Sequence, residues 1–134
     1  MAILVRREGE LPDPAELGEA AFRTFFRIAE VWKLTPEEQM KLLGLTSRST
    51  FYKWKKQQDG APGRDVIERI SYVLGIFKAL ELLFPDPTRA DAWLRKPNAA
   101  LPFGGGSALE RMLSGNVADL YVVRSYLDAQ RGWQ

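Results

Sequence analysis

The chain has 134 residues, of which 46% are hydrophobic and 27% charged, and its formal net charge is +2. This length and composition indicate one domain, or two small helical modules that share a core, and they exclude a disordered chain. The sequence contains no His and no Cys. It therefore excludes disulfides, thiolate- or imidazole-based zinc sites, and Cys or His nucleophiles and bases, and we expect neither a cofactor nor a bound metal.

The first residues predict a tail rather than a membrane segment. Arg6 and Arg7 interrupt the short apolar stretch near the start, and no segment reaches the roughly 18 apolar residues of a membrane span. No signal-peptide pattern is present. We expect a cytoplasmic protein whose residues 1–12 form a flexible tail.

The first predicted helix begins after Asp13, whose side chain can cap it, with Pro14 in the first turn. Apolar residues then recur at spacings of three and four, which predicts one buried stripe. These residues are Leu17, Ala21, Phe25, Ile28 and Trp32.

Two short helices are predicted on either side of Gly44. The sequence Thr-Pro-Glu-Glu at residues 35–38 is a capping box with proline at the first helical position. Gly44 suits the left-handed conformation that ends such a helix. Thr46 or Ser47 can cap the next helix, which runs to Lys56. This is the arrangement of a helix-turn-helix.

The second short helix divides into two faces. Phe51 and Trp54, with Leu45, are predicted to face the core. The opposite face carries hydrogen-bonding and basic side chains suited to phosphates and base edges, although a solvated helix face would look similar. The predicted DNA-contacting residues are Ser47, Arg48, Ser49, Thr50, Tyr52, Lys53 and Lys56. Residues 47–64 carry a net charge of +4 and the remainder −2, which favours a local phosphate-facing surface.

A long central helix is predicted over residues 64–84. Gly75 lies inside it and predicts either a kink or the close approach of a neighbour. Its predicted core positions are Val66, Ile70, Val73, Phe77, Leu80 and Phe84.

Three further helices follow the prolines at 85 and 87. We predict that Thr88 caps the first, that Ser107 caps the second, and that the last runs from Val117 to about Gln130. The glycines at 104–106 could be read as a phosphate cradle, but no strand precedes them and no Lys follows, so a helix entry is preferred. With no confident strand, the sequence predicts an all-α fold.

Several segments resemble the MbcA/ParS/Xre antitoxin family. Residues 31–35, 42–45 and 48–54 resemble its Xre-like helix-turn-helix, and residues 68–71 and 75–80 its central helix. The family's toxin-binding region is similar to four further segments of this chain, which are residues 84–86, Trp93-Leu94, Pro97-Asn98 and the glycine-rich residues 104–107. In the family a proline usually follows the serine or threonine that ends this glycine-rich segment, whereas in this chain Ala108 follows Ser107.

The resemblance implies a type II antitoxin. Its C-terminal region would cover the NAD pocket of a RES-domain toxin, which consumes NAD or ADP-ribosylates a target, and its helix-turn-helix would repress its own operon. The expected organisation is a tail over 1–12, a helix-turn-helix region over 13–63, a connecting helix over 64–84 and a toxin-binding region over 85–134. The expected partners are the RES-domain toxin, operator DNA and a second copy of the chain, joined through the central or the last helix.

The resemblance also implies a set of toxin-contacting residues. They are Trp93, Pro97, Asn98, Arg124, Asp128, Arg131, Gly132 and Trp133. From the residues alone Trp133 is equally consistent with an idle tail and with an anchor in a partner pocket, and the resemblance favours the anchor. Trp93 is predicted to lie in the core and to shape the toxin-binding surface indirectly.

Two other functions fit parts of the sequence. A stand-alone transcriptional regulator would use its C-terminal region for dimerisation or effector binding. An enzyme would need acid–base groups such as Asp86, Asp91 and Glu110. Neither a paired spacing nor a nucleophile supports the enzyme, so we predict a protein that is not an enzyme.

Overall fold

A computed structural model describes residues 14–57 and 62–132, and in these ranges the predicted all-α fold is confirmed. The seven helices of these ranges are α1 (Pro14–Val31), α2 (Pro36–Leu43), α3 (Arg48–Gln57), α4 (Arg64–Leu83), α5 (Pro87–Trp93), α6 (Ala108–Met112) and α7 (Val117–Gly132). An isolated β-bridge joins Pro97 and Ser107. No helix of the described part is long and apolar enough to cross a membrane. The predicted tail and the Asp13 cap lie outside the described residues.

The apolar stripe of α1 is wider than its spacing predicts. Phe25, Ile28 and Trp32 are buried as expected, and Phe22 and Phe26 are buried beside them. The extra width arises because α1 packs against both α3 and α4. A helix that contacts two neighbours needs a broader apolar face than one that contacts a single neighbour.

The caps of α2 and α3 follow from the residues next to them. The Glu38 amide donates to Thr35 Oγ1 at 3.1 Å, and the Thr35 amide donates to Glu38 Oε1 at 2.8 Å, which completes the capping box. Gly44 ends α2 with φ at +72°. Of the two candidates for the next cap, Ser47 takes the position, since its Oγ accepts the Thr50 amide at 3.2 Å.

An aromatic cluster fixes α3 against α1. The Phe22 and Trp54 rings lie 4.8 Å apart, and those of Phe26 and Phe51 lie 6.1 Å apart. Phe51 is fully buried and Trp54 half-buried, as predicted. Burial of a large apolar side chain contributes about 1.5–3 kcal/mol. The cluster therefore sets which face of α3 points to solvent.

The core side of α4 differs from the prediction at two of its six positions, Phe77 and Phe84. Ile76 is fully buried, whereas Phe77 is only half-buried and Phe84 lies just beyond the helix. The α1 helix meets α4 at Phe77, whose ring lies 5.8 Å from that of Trp32, and α7 meets it at Tyr72, whose ring lies 6.0 Å from that of Tyr121. At about 100° per residue, Ile76 lies between these two contacts on the helix and is covered from both. The buried residues of α4 are Val66, Ile70, Val73, Ile76, Ala79 and Leu80.

The last helix, α7, runs parallel to α4. The Tyr72 and Tyr121 rings meet at 6.0 Å near the middle of α4, and Phe84 and Leu127 line one pocket near its end. α7 therefore covers the C-terminal half of α4. Its buried residues are those predicted, and they are Leu120, Val123 and Leu127.

The predicted cap of α5 is wrong. Asp86, not Thr88, caps α5, and the Thr88 amide donates to Asp86 Oδ1 at 3.0 Å. The reason is that Pro87 is fixed at the first helical position, which makes the residue before it the cap. The predicted cap of α6 is present, with Ser107 and Glu110 forming a complete capping box although Ala108 replaces the usual proline.

Candidate DNA-binding and toxin-binding surfaces

The predicted DNA-contacting residues lie together on α3 and its cap. Six of the seven are exposed and Thr50 is half-buried, and the helix sequence contains no acidic residue. Lys53 and Lys56 are exposed on the side opposite Phe51. This face offers hydrogen-bond donors and positive charge, which are the groups that bind phosphates and base edges.

Arg48 is paired with a residue that the sequence analysis missed. Its Nη2 donates to Glu37 Oε1 at 2.9 Å, and the two side chains are 61% and 59% exposed. The hydrogen bond from Arg48 lowers the pKa of Glu37 and raises the pKa of Arg48. An ion pair this exposed contributes little to stability, so a phosphate or a guanine edge can compete with Glu37 for Arg48.

The hydroxyl and phenol groups of this face are held in different ways. Ser47 Oγ caps the helix and lies 3.0 Å from Ser49 Oγ. Part of the hydrogen-bonding capacity of the Ser47 hydroxyl is thus used within the protein. Tyr52 is 47% exposed, and its ring packs edge-on against Phe51 at 5.1 Å. The phenol is therefore presented to solvent from a ring that the core supports.

The turn between α2 and α3 is supported from behind by Arg69 of α4. A Cβ on Gly44 would lie 2.7 Å from Arg69 Nε. The Arg69 side chain is 11% exposed, and its Nε donates to Asp65 Oδ2 at 3.0 Å. Gly44 is therefore favoured by its positive φ, and a Cβ at this position would also displace the arginine beside it.

Trp93 holds the loop after α5 against α7. Its ring stacks on Tyr126 at 6.3 Å with an interplanar angle of 18° and meets the edge of Phe103 at 5.8 Å. It is half-buried. Trp93 therefore packs against the core from its edge and does not lie within it, and its predicted role in shaping the toxin-binding surface stays a prediction.

Pro97 and Asn98 lie at the start of that loop. Asn98 Oδ1 accepts the Ala100 amide at 2.9 Å, and the Asn98 amide donates to the Gly106 carbonyl at 2.9 Å. Pro97 is exposed and bridges to Ser107. Asn98 therefore builds the loop with its side chain, and Pro97 remains accessible to a partner.

Three of the remaining predicted toxin contacts, Arg124, Asp128 and Arg131, lie on α7 and are joined by ion pairs. Arg124 Nε lies 3.5 Å from Asp128 Oδ2, and Arg131 Nη2 lies 3.4 Å from Asp128 Oδ1. The Arg124 guanidinium is turned toward α4, where it fills the space beside Gly75. Of the two predictions for Gly75, the structure supports the close approach of a neighbour. Gly132 is exposed at the end of α7, and Trp133 lies outside the described residues.

Comparison with known proteins matches both halves of the chain. Residues 13–75 match the antitoxin Xre-like helix-turn-helix domain, and residues 79–132 match the antitoxin Xre/MbcA/ParS C-terminal toxin-binding domain. The chain belongs to the Xre/MbcA/ParS antitoxin family. The uncharacterised protein y4oB of Sinorhizobium fredii (strain NBRC 101917 / NGR234) is 53% identical to it over 119 residues, which cover 89% of this chain and 86% of that protein. The two domains are those of a type II antitoxin.

The carboxylates considered for an enzyme have separate surroundings in the antitoxin. Asp86 caps α5, and Glu110 belongs to the capping box of α6. Burial raises the pKa of Asp91, and the charge of Lys33 opposes that shift. Among the described residues no group of three or more His, Cys, Asp or Glu could hold a metal ion.

The backbone amides of the glycine-rich segment, residues 104–106, form hydrogen bonds to carbonyls of their own loop. The Gly104, Gly105 and Gly106 amides donate to the carbonyls of Ala100, Asn98 and Phe103 respectively. These amides are therefore already paired within the loop, which agrees with a helix entry rather than a phosphate cradle.

Two features of the surfaces were beyond sequence reasoning. Glu37 lies eleven residues from Arg48, and only the packed turn brings the two together. Leu101 is 98% exposed, although a leucine between Ala100 and Pro102 carries no sequence signal of exposure.

Proposed function

We propose that the antitoxin neutralises a RES-domain toxin and represses its own operon. The toxin would consume NAD or use it to ADP-ribosylate a target, and the C-terminal region of the antitoxin would cover its active site. The observation that carries this proposal is that a helix-turn-helix and a toxin-binding domain pack on one helix, α4. We retain the predicted division into 1–12, 13–63, 64–84 and 85–134.

The DNA-binding half would read operator DNA through the exposed face of α3. Lys53 and Lys56 would neutralise phosphates, while Arg48, released from Glu37, would reach a base edge or a phosphate. The absence of acidic residues from α3 supports this role. Ser47, Ser49, Thr50 and Tyr52 would add hydrogen bonds to the backbone of the DNA.

The toxin-binding half would present the loop after α5 and the outer side of α7. Trp93 and Asn98 would shape this surface, and Pro97, Asp128 and Arg131 would contact the toxin. Arg124 would act partly through its contact with α4. Residues 132–134 would enter or cover the active-site pocket, with Trp133 as an aromatic anchor. Deleting these three residues is expected to weaken neutralisation and to leave DNA binding intact.

The antitoxin would act as a homodimer, since a helix-turn-helix usually reads a two-fold operator. A groove between α1 and α4 supports the central helix as the interface. It exposes Val31, which is 45% accessible, beside Phe77, and both Lys78 and Glu81 line it. In a two-fold dimer joined through this groove, Lys78 of one copy would face Glu81 of the other. We expect Val31→Asp to convert the dimer to a monomer by light scattering, and an unchanged mass would exclude this interface.

Co-expression with the RES-domain protein encoded beside it tests the proposal. The antitoxin should copurify with that protein and restore growth to cells that express it. The complex or the free antitoxin should also retard a fragment of the operon promoter. Promoter binding without copurification or growth rescue would instead support the stand-alone regulator.

A further inference from the structure

The loop between α5 and α6 carries an apolar side chain almost entirely in solvent. Leu101 is 98% exposed, compared with 66% for Leu82, the next most exposed leucine of the described residues. Its neighbours Ala99 and Ala100 are small. Leu101 therefore forms a knob that a partner can approach closely.

Hydrogen bonds on both sides of Leu101 close this loop. The Asn98 amide donates to the Gly106 carbonyl at 2.9 Å, and the Gly105 amide donates to the Asn98 carbonyl at 2.8 Å. Within the loop, the Gly104 amide donates to the Ala100 carbonyl at 3.1 Å, and Ala100 donates to Asn98 Oδ1 at 2.9 Å. The knob thus projects from a loop whose backbone is held by hydrogen bonds.

A buried aromatic residue anchors the loop two residues after the knob. Phe103 is 9% exposed, and its ring meets those of Trp93 at 5.8 Å and Tyr126 at 5.1 Å. With the Phe103 side chain directed into the core, the chain at Leu101 is held at the surface.

Pro102, which lies between Leu101 and Phe103, is connected to α6 and α7 by hydrogen bonds. Arg111 Nη1 donates to the Pro102 carbonyl, and Arg111 Nε donates to Asp119 Oδ1 at 2.9 Å. Ser114 Oγ donates to the other oxygen of Asp119 at 2.6 Å. The base of the knob is therefore joined to two helices of the toxin-binding domain.

A fixed, exposed leucine is well suited to protein binding. Single exposed apolar residues are common and usually have no role, but most are not held at the tip of a loop whose backbone is already paired. Because the loop is ordered before binding, little conformational entropy is lost when the leucine enters a pocket. Burial of a leucine side chain is then worth about 10- to 100-fold in affinity.

We propose that Leu101 is an anchor that inserts into an apolar pocket on the surface of the toxin. This inference rests on the proposed function, in which the antitoxin binds a toxin. Leu101 lies within residues 79–132, the matched toxin-binding domain, and in the same loop between α5 and α6 as Pro97, a predicted toxin contact. An apolar knob has no complementary group on a DNA phosphate backbone, so the occupant is a protein.

Titration calorimetry of the full-length antitoxin with the copurifying RES-domain protein tests the anchor. Leu101→Ala should weaken binding by about 10- to 100-fold, Leu101→Asp by more, and Leu101→Met should retain wild-type affinity because it conserves apolar volume. The control is Leu82→Asp on α4, which should bind as the wild type does. All variants should keep the wild-type melting temperature and promoter binding, since both leucines are exposed.

Four results would overturn the anchor. Wild-type affinity in Leu101→Asp would do so, and so would an equal loss in Leu82→Asp, because the added charge would then explain the effect. A change in the mass of free Leu101→Asp would assign the knob to a contact between antitoxin copies. Failure of the wild-type antitoxin to bind the RES-domain protein would overturn the proposed function itself, and this inference with it.

Discussion

The guanidinium of Arg124 on α7 fills the space beside Gly75 in the middle of α4. A Cβ on Gly75 would lie 2.4 Å from Arg124 Cζ, and Arg124 Nη1 donates to the Ser71 carbonyl at 3.4 Å. A glycine within a helix costs about 1 kcal/mol relative to alanine. Because Gly75 has no side chain, Arg124 of the toxin-binding domain can lie directly against α4. The helix-turn-helix packs on the same helix.

The contact predicts that substitutions of Gly75 and Arg124 are not additive. In an Arg124→Ala background, Gly75→Ala should raise the free energy of unfolding by about 1 kcal/mol, because only helix propensity changes. In the wild-type background the gain should be smaller or reversed, since the new Cβ displaces the guanidinium. Urea unfolding of the four proteins measures this difference. Equal increments in both backgrounds would show that the two residues do not interact.

Gly44→Ala should destabilise the antitoxin and weaken operator binding. The φ of +72° costs a residue with a Cβ about 1–2 kcal/mol, and that Cβ would also displace Arg69. Movement of the turn shifts α3, which carries the DNA-contacting face. Thermal unfolding and a promoter gel shift measure the two effects. Gly132→Ala is the control, because a Cβ there meets nothing within 4 Å, and it should leave both unchanged.

Glu37→Gln should strengthen DNA binding by roughly two- to tenfold. The substitution removes a negative charge beside α3 and frees Arg48 from its ion pair at 2.9 Å. Fluorescence anisotropy with promoter DNA at several salt concentrations measures the change. Glu68→Gln, an exposed carboxylate of α4 outside the groove between α1 and α4, serves as the control for net charge. Weaker binding by Glu37→Gln would mean that Glu37 positions Arg48 for the DNA.

Stability at acid pH should depend on Asp119. Hydrogen bonds from Ser114 and Arg111 lower the pKa of Asp119 in the folded state. Its contribution is therefore fully present above the unfolded pKa of about 3.9 and is lost as the pH falls through the lower folded value. Asp119→Asn should reduce the free energy of unfolding by about 1 kcal/mol at pH 7. The difference from the wild type should vanish at low pH.

Urea unfolding from pH 7 to pH 2 measures this dependence, with Glu68→Gln on the exposed side of α4 as the control. A difference between Asp119→Asn and the wild type that stayed constant with pH would contradict the role of the Asp119 charge.

Local features of this fold were readable from the sequence. The capping box at Thr35, the cap at Ser107 and the glycine that ends α2 depend on residues within four positions, so spacing alone predicts them. The outward face of α3 was also predictable, because Phe51 and Trp54 mark the opposite side at a helical interval. The cap at Asp86 was missed because Thr88 is an equally good cap when the constraint of Pro87 is overlooked.

Features that depend on packing between helices were not readable. Ile76 replaces Phe77 in the core because two helices contact α4 from different sides. Arg48 meets Glu37, and Arg124 meets Gly75, across sequence separations that no local rule connects. Leu101 is exposed because Phe103 and the hydrogen bonds of the loop fix the backbone around it, which is a property of the folded loop and not of the residue.

Neutralisation of the toxin is measured by the NAD consumption of the purified RES-domain protein as the antitoxin is added. The proposed function predicts that NAD consumption falls to the background rate once the antitoxin saturates the toxin. An antitoxin that lacks residues 132–134 should require a higher concentration to reach the same inhibition. An unchanged rate of NAD consumption in the presence of excess wild-type antitoxin would contradict the proposal.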